Sequence, residues 1–470
     1  MSKIVSIKKG EDVELDIKSI AFGGMGVSSF NEIVTFVKNA IPGQKVVARI
    51  TKKRSSYLEA RSIKTIKESP YYIDAKCEHF SDCGGCTFQN LNYTKQLDEK
   101  DRQLNDIFKR LGGFNNYECE QIVGCDKIFY YRNKMEFTFS NREYIPEAEK
   151  GREPFDFSLG LHPRGVWYKV IDINNCYLHP PIANEILQFV KKITIKLKPY
   201  DIKQHSGFLR GLIIRTAENT DDIMINFITK ENKISLLEPI VNLLIKKYPQ
   251  ITSIINNINR SKANISKGES QNILYGKNFI IEKLGEYNFI ISPDSFFQVN
   301  TKQAKLLYDI IVEEASLTGT EIVYDLFCGT GSIALYLSQY AKYIYGFEIV
   351  ESAIRDAKQN ALNNNVNNVS FICGNLENIF RNNLNIKNLD SPDIVLVDPP
   401  RAGLHPKTIR DILEQLPRKI IYISCNPASQ ARDVSLLCEG KYKLIKLRPV
   451  DMFPHTPHIE NIATLVYDND

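Results

Sequence analysis

Apolar and polar positions alternate over short stretches in the first seventy residues, from Glu11 to Ile17 and from Lys45 to Thr51, on either side of the glycine-rich run AFGGMGV (Ala21 to Val27). A period of two with glycine turns predicts short strands closing into a small β-barrel over 1–70. The pattern lengthens to a helical one over Tyr93 to Leu111. Between 117 and 290 it mixes strands (Lys134 to Ser140, Gly211 to Thr216, Ile223 to Ile228) with helices (Pro181 to Ile195, Leu236 to Lys247). This predicts a central α+β region, 71–290. Asn and Lys are dense at 254–278, which reads as turns and exposed edges.

From about 291 strands and helices alternate. Strands are expected at Glu321 to Cys328, Tyr343 to Ile349, Val369 to Cys373, Asp393 to Asp398 and Lys419 to Ser424, with helices at Gly331 to Ser338 and Glu351 to Asn364. Such alternation predicts an α/β unit over 291–470, a parallel doubly wound, Rossmann-like sheet. Ligands of these sheets bind beyond the carboxyl ends of the strands.

Composition narrows the class. The chain has 470 residues, enough for about three domains, with a net charge of +5 and ordinary hydrophobic and charged fractions. No apolar run reaches the ~18 residues of a membrane span, and MSKIVSIKKG lacks the apolar core of a secretion signal. The expectation is a soluble, cytoplasmic protein with no membrane partner. Its ten cysteines are too sparse for a disulfide scaffold and read as ligands, nucleophiles or core residues. A mild basic excess permits a nucleic-acid partner without requiring one. Lys52, Lys53 and Arg54 beside Tyr57 are either a solvated loop or the footprint of a nucleic-acid-binding barrel.

Candidate chemistry gathers at the strand ends. DLFCGTGS (Asp325 to Ser332) offers Gly329 and Gly331, which let the backbone turn tightly beside a ligand; Ala334 takes the third glycine's place in GxGxxG. Glu348 closes the next strand, where an acid can accept from ribose hydroxyls. The pattern D-x-F-x-G-x-G resembles the first motif of class I S-adenosylmethionine (SAM) methyltransferases. Their usual acid near adenine is replaced by Gly374-Asn375-Leu376-Glu377. IVLVDPPRAGL brings Asp398 to a strand end stiffened by Pro399 and Pro400. Arg401, where amine methylases carry an aromatic residue, argues against that class. YISCNPASQARD ends another strand at Cys425, a nucleophile if not a buried hydrophobe. MFPHTPHIENIATL adds His455, His458 and Glu460; a metal half-site at HTPH stands as an alternative.

Together, DLFCGTG, DPPRAGL, SCNPASQARD and HTPHIENIATL resemble the RNA uracil-5-methyltransferase family, over essentially the whole chain. The resemblance implies Cys425 as nucleophile on carbon 6 of uracil and Glu460 as the base that removes the carbon-5 proton. The family's F-x-Q-V-N motif is matched by Phe296, Gln298, Val299 and Asn300. It implies Gln298 on SAM and Phe296 against the target base, with Phe327, Glu348 and Asp398 at SAM-contacting positions.

Cys77, Cys83 and Cys86 place three thiolates within ten residues, a set suited to zinc or a [4Fe–4S] cluster with one more sulfur. CEHFSDCGGCTFQ resembles the iron–sulfur segment of the family's ribosomal-RNA branch. That branch takes its fourth cysteine before an LHP segment, here Cys176 in NCYLHP, with Cys119 and Cys125 as rivals. In longer members the N-terminal barrel is an OB-like TRAM domain, which the resemblance implies for 1–70. The resemblance thus implies methylation of a uridine in 23S ribosomal RNA. The same reaction on transfer RNA is the first alternative, and an RNA-binding iron–sulfur protein with a degenerate catalytic domain is the second. No protein partner is implied.

Overall fold

The apolar alternation of the first seventy residues produces a six-stranded sheet. In this computed structural model, which describes residues 7–262, 268–376 and 389–468, its order is Asp12–Asp16, Lys45–Lys53, Tyr57–Lys67, Ile33–Lys38, Gly26–Phe30 and Ser19–Ile20. The two edge strands do not pair with each other among the described residues, so hydrogen bonds do not close the expected barrel. The core beneath it (Leu15, Val37, Val46, Ile50, Leu58) nevertheless belongs to this sheet and the chain leading into it. A sheet that buries its own face without a covering layer has to curl.

A seven-stranded sheet follows, ordered Ile171–Asp172, Ser158–Leu161, Lys134–Ser140, Leu209–Thr216, Ile223–Thr229, Ile251–Ile258 and Ser270–Gly276. The helices Pro181–Thr194 and Ile234–Lys247 bury Ile186, Leu187, Leu237 and Leu244 in one core with Phe137, Leu212, Ile225 and Phe227 of the strands. Residues 254–258, expected as exposed turns, are instead part of a buried strand. Asn256 and Asn257 tolerate burial because their amides find partners: Asn256 Nδ2 donates to Phe227 O and to Thr229 Oγ1 at 2.9 Å.

The last sheet has eight strands. Val369–Cys373, Tyr343–Glu348, Ile322–Leu326, Ile394–Val397 and Lys419–Ser424 are parallel. The sheet is not parallel throughout, because Glu460–Tyr467 and Tyr442–Val450 join antiparallel. The short strand Glu118–Cys119 adds the far edge. Two pieces that precede 291 in sequence pack here. Leu104 and Phe108 of the helix Tyr93–Arg110 share a core with Tyr324 and Val397, and the hairpin Ile280–Leu284 with Tyr287–Ile291 buries Ile280 and Phe289 beside Val323.

The helix Tyr93–Arg110 ties the parts together. Asn92 caps it by accepting from Lys95 N–H, and Lys109 and Arg110 complement its carboxyl end. Its buried face is polar, and distant groups satisfy it. Glu99 accepts from Ile20 N–H at 2.8 Å, which docks the N-terminal sheet; Lys100 pairs with Asp451 at 2.7 Å. No helix among the described residues is long and apolar enough to cross a membrane.

Candidate active site

The parallel strand order reverses between Ile322–Leu326 and Ile394–Val397, and crevices form at the carboxyl ends of strands at such a point. A cleft of about 1040 Å³ lies there. It is lined by eight of the nine non-cysteine-cluster residues expected from sequence: Phe296, Gln298, Phe327, Gly329, Glu348, Asp398, Cys425 and Glu460. Leu326 pairs with Val397, so Phe327 and Asp398 leave the sheet side by side.

Gly329 and Gly331 divide the work of the first loop. Both have positive φ, +54° and +77°. A Cβ at Gly329 would meet nothing within 4 Å, leaving that side open. A Cβ at Gly331 would strike Phe371 at 2.6 Å. Gly331, expected to face a ligand, therefore serves helix–strand packing and is not among the residues lining the cleft. Glu348 braces the loop: it accepts from Gly329 N–H at 3.2 Å, and from Ile349 and Val350 N–H at 2.7 and 2.9 Å. Of the segment that replaces the adenine-side acid, Asn375 does not line the cleft and Glu377 lies outside the described residues.

Acidic groups crowd the floor and the strand beneath it. Burial pushes Asp398 up to about 7, and burial with Asp398 nearby pushes Asp325, below the lining, up to about 8. Among the described residues Asp325 Oδ2 has no hydrogen-bond partner. Glu460, buried and with its Oε2 likewise unpartnered, is driven well above the ordinary carboxyl range by burial and by Asp398. A cationic ligand suits this floor, because it would relieve repulsion among the carboxylates.

Cys425 is half-buried at the end of Lys419–Ser424. Burial raises its thiol, Glu460 and Asp398 add to that, and a hydrogen bond from Arg401 opposes it. Arg401 is held from behind: its carbonyl accepts from Asn426 Nδ2 at 2.8 Å and from Ser429 Oγ at 3.1 Å. Its guanidinium lies 3.1 Å from His458 Nδ1. Arg401 and Asp325 stood in quoted motifs without a role at Cys425 or beneath the cleft, and Phe453 was not assigned a role. Phe453 and His458 come together through the 451–458 strap, with their rings 6.0 Å apart.

The two histidines of HTPH part company. His455 is buried against Phe129, its Nδ1 3.2 Å from Gln96 Nε2, and burial lowers it to about 4. Burial and Arg401 lower His458 to about 4 as well. Among the described residues no three His, Cys, Asp or Glu side chains are grouped to hold a metal ion.

Cys77, Cys83, Cys86 and Cys176 nevertheless come within electrostatic reach of one another, Cys176 raising the other three thiols in addition to their burial. Gly85 N–H donates to Cys83 Sγ and Gln89 Nε2 to Cys86 Sγ, at 3.4 and 3.3 Å. Backbone N–H groups of Leu178 and His179 serve Cys176. Burial keeps these thiols protonated, and the N–H donors favour the thiolate forms against it. Cys119 lies on the edge of the C-terminal sheet and Cys125 beside Asn300, so neither joins the group. The cysteine loop also holds the 451–458 strap: Thr87 and Phe88 N–H donate to His455 O at 2.7 and 3.0 Å.

Comparison with known proteins places this arrangement. The family described as tRNA (Uracil-5-)-methyltransferase matches residues 252–467, and the TRAM domain matches 7–63. An uncharacterised RNA methyltransferase of Chlorobaculum tepidum is 36% identical, covering 98% of this chain and 97% of its own. One from Porphyromonas gingivalis is 37% identical over 97% of this chain and its own entire length. Among solved structures, the Pyrococcus abyssi tRNA (uracil-54, C5)-methyltransferase in complex with S-adenosyl-L-homocysteine covers 97% of this chain at 31% identity, with a TM-score of 0.76.

Proposed function

Because the chain belongs to the RNA uracil-5-methyltransferase family, we propose that it methylates carbon 5 of a uridine in RNA through a covalent bond to Cys425. The observation that carries this reading is the convergence of a thiol, a buried carboxyl and the acid-lined cleft at one end of the sheet. SAM would be held by Gln298, Phe327, Glu348 and Asp398, and when bound it supplies an electrophilic methyl group and positive charge. That charge favours ionised Glu460.

Carbon 5 of uracil is a weak nucleophile. Addition of the Cys425 thiolate to carbon 6 makes it electron-rich enough to accept the methyl group. Arg401 favours the thiolate by its hydrogen bond. Glu460 then takes the carbon-5 proton, the double bond re-forms and the thiolate leaves. Phe296 at the cleft mouth packs on the target base. Incubating the enzyme with SAM and RNA containing 5-fluorouridine tests this sequence. With no removable proton the RNA should remain bonded to Cys425, and absence of any adduct would count against the mechanism.

The substrate we assign is 23S ribosomal RNA, supported by the motif resemblance of the cysteine segment and its fourth thiol at Cys176. A transfer-RNA uridine is the second reading, favoured by the likeness to the Pyrococcus abyssi enzyme over nearly the whole chain. Mapping 5-methyluridine in both RNAs from a deletion strain separates them. The same reading includes a [4Fe–4S] cluster on Cys77, Cys83, Cys86 and Cys176. Methyl transfer moves no net electrons, so its role is structural: the loop that would carry it holds the strap leading to Glu460.

A further inference from the structure

The chain's only tryptophan, Trp167, is 62% exposed. Its turn is nonetheless held in place. His162 Nδ1 lies 2.8 Å from Lys169 O, and Val166 N–H donates to Pro163 O at 3.1 Å. Pro163 bridges to Cys83 and Val170 to Glu143. Arg164 donates from its backbone to Asp82 O and from its guanidinium to the carbonyls of Cys83 and Cys86. A large apolar ring displayed on a stapled turn loses little conformational entropy when something covers it.

The surroundings of the ring are cationic. Trp167 lines a shallow pocket of about 520 Å³ with Ile202, Lys203, His205 and Lys262. Tyr168 stands edge-on to the indole at 5.8 Å, with Lys203 Nζ 4.2 Å from its centroid. Arg164 and Gly165, just before the tryptophan, line a second groove with Arg132 and Lys134; Glu136 is the acid there and pairs with Lys134, while Arg215 is buried and donates to Ser295 O. That groove shares Ser295 and Phe296 with the catalytic cleft, and Phe296 is itself 69% exposed. Basic residues thus run from the cleft mouth toward Trp167.

Cations along a path that ends on an exposed aromatic ring match a single nucleic-acid strand, with phosphates on the cations and a base on the ring. Resting on the RNA-methyltransferase reading, we propose that Trp167 stacks an unpaired base of the substrate RNA outside the active site. Lys203 and Lys262 meet the adjoining phosphates, and the Arg132–Lys134 groove carries the strand between that base and the target uridine.

A single tryptophan makes the full-length protein its own probe. Its emission is titrated with a substrate RNA fragment, and binding by W167A, W167F and K203A/K262A is measured separately with labelled RNA. Emission should quench saturably. W167A should bind about 5- to 100-fold more weakly, the range of one lost base stack, and W167F should recover part of it. K203A/K262A should bind with a shallower salt dependence. In methyl transfer W167A should raise KM for RNA far more than it lowers kcat. Polyphosphate, which has no bases, should compete without quenching. Wild-type affinity in W167A, unchanged emission at saturating RNA, or equal quenching by polyphosphate would each overturn stacking while leaving the RNA-methyltransferase reading intact. A wild-type enzyme that neither binds nor methylates RNA would overturn both.

Discussion

Cys425 and Glu460 stand at facing ends of neighbouring antiparallel strands: Ser424 pairs with Asn461, so one step outward sets the thiol opposite the carboxyl. Each group lies in the other's field, and Glu460 helps hold the thiol protonated. In the proposed mechanism, nucleophile and base would approach one uracil from a shared rigid edge, which fixes their spacing without help from a loop.

Removing either group should stop the reaction at a different point. Cys425→Ala should form no adduct and transfer no methyl group. Glu460→Gln should still methylate but fail to release, accumulating a labelled protein–RNA band on a denaturing gel. Turnover should fall by about 10²–10⁴, the usual contribution of a general base. Normal turnover by Glu460→Gln would assign the base elsewhere.

The pH profile follows from the thiol. Burial, Glu460 and Asp398 push it above its ordinary 9.0, and Arg401 pulls it back. Below that value the thiolate grows tenfold per pH unit, so kcat/KM should climb from about pH 6 to 9 without a plateau. Arg401→Gln removes the opposing hydrogen bond and should move the climb to still higher pH. A flat profile across this range would rule out thiolate formation as the governing ionisation.

Lys100 and Asp451 form a fully buried pair, and Asp451 also accepts from Tyr93 Oη at 2.9 Å. Lys100→Met would strand that carboxylate and should lower unfolding free energy by about 3–5 kcal/mol. Lys100→Met with Asp451→Leu should recover part of the loss in urea denaturation. An unchanged midpoint in the single variant would show that the pair is dispensable.

Asp325 is held near 8 in the folded protein against an ordinary 3.8. The folded state binds the extra proton, so this group's stabilising contribution is complete below about pH 4 and drains away as pH rises to about 8. Asp325→Asn should lose that part of the slope and exceed wild type by about 1–3 kcal/mol at pH 8. Equal stability of the two proteins at pH 5 and 8 would contradict the assignment.

Anaerobically purified protein should be brown with broad visible absorbance, and Cys77→Ser or Cys176→Ser should remove the colour. Cys119→Ser and Cys125→Ser should retain it. Since Arg164 hangs from the carbonyls of Cys83 and Cys86, Cys83→Ser should also shift the Trp167 emission. A colourless wild type would refute the cluster.

Secondary structure in the C-terminal half was readable in the chain. Ile394–Val397 begins and ends where the apolar run does, because a strand buried on both faces needs unbroken apolar side chains. Asp398, Cys425 and Glu460 were readable for the same reason, since a reactive residue at the edge of such a run can only emerge at the sheet's rim. Ile251–Ile258 was misread because its asparagines count as polar until Phe227 and Thr229 accept from one of them.

Sequence by itself thus determined the apolar strands, the glycine turn at Gly329 and the types of group at the strand ends, all of which depend on neighbours a few residues away. Folding alone decided that Gln96, Glu99 and Lys100 form a buried helix face and that Arg401 reaches Cys425. A polar group is stable out of water only when another part of the chain meets its hydrogen bonds or charge. The partner that does so is chosen by topology, which local pattern does not encode.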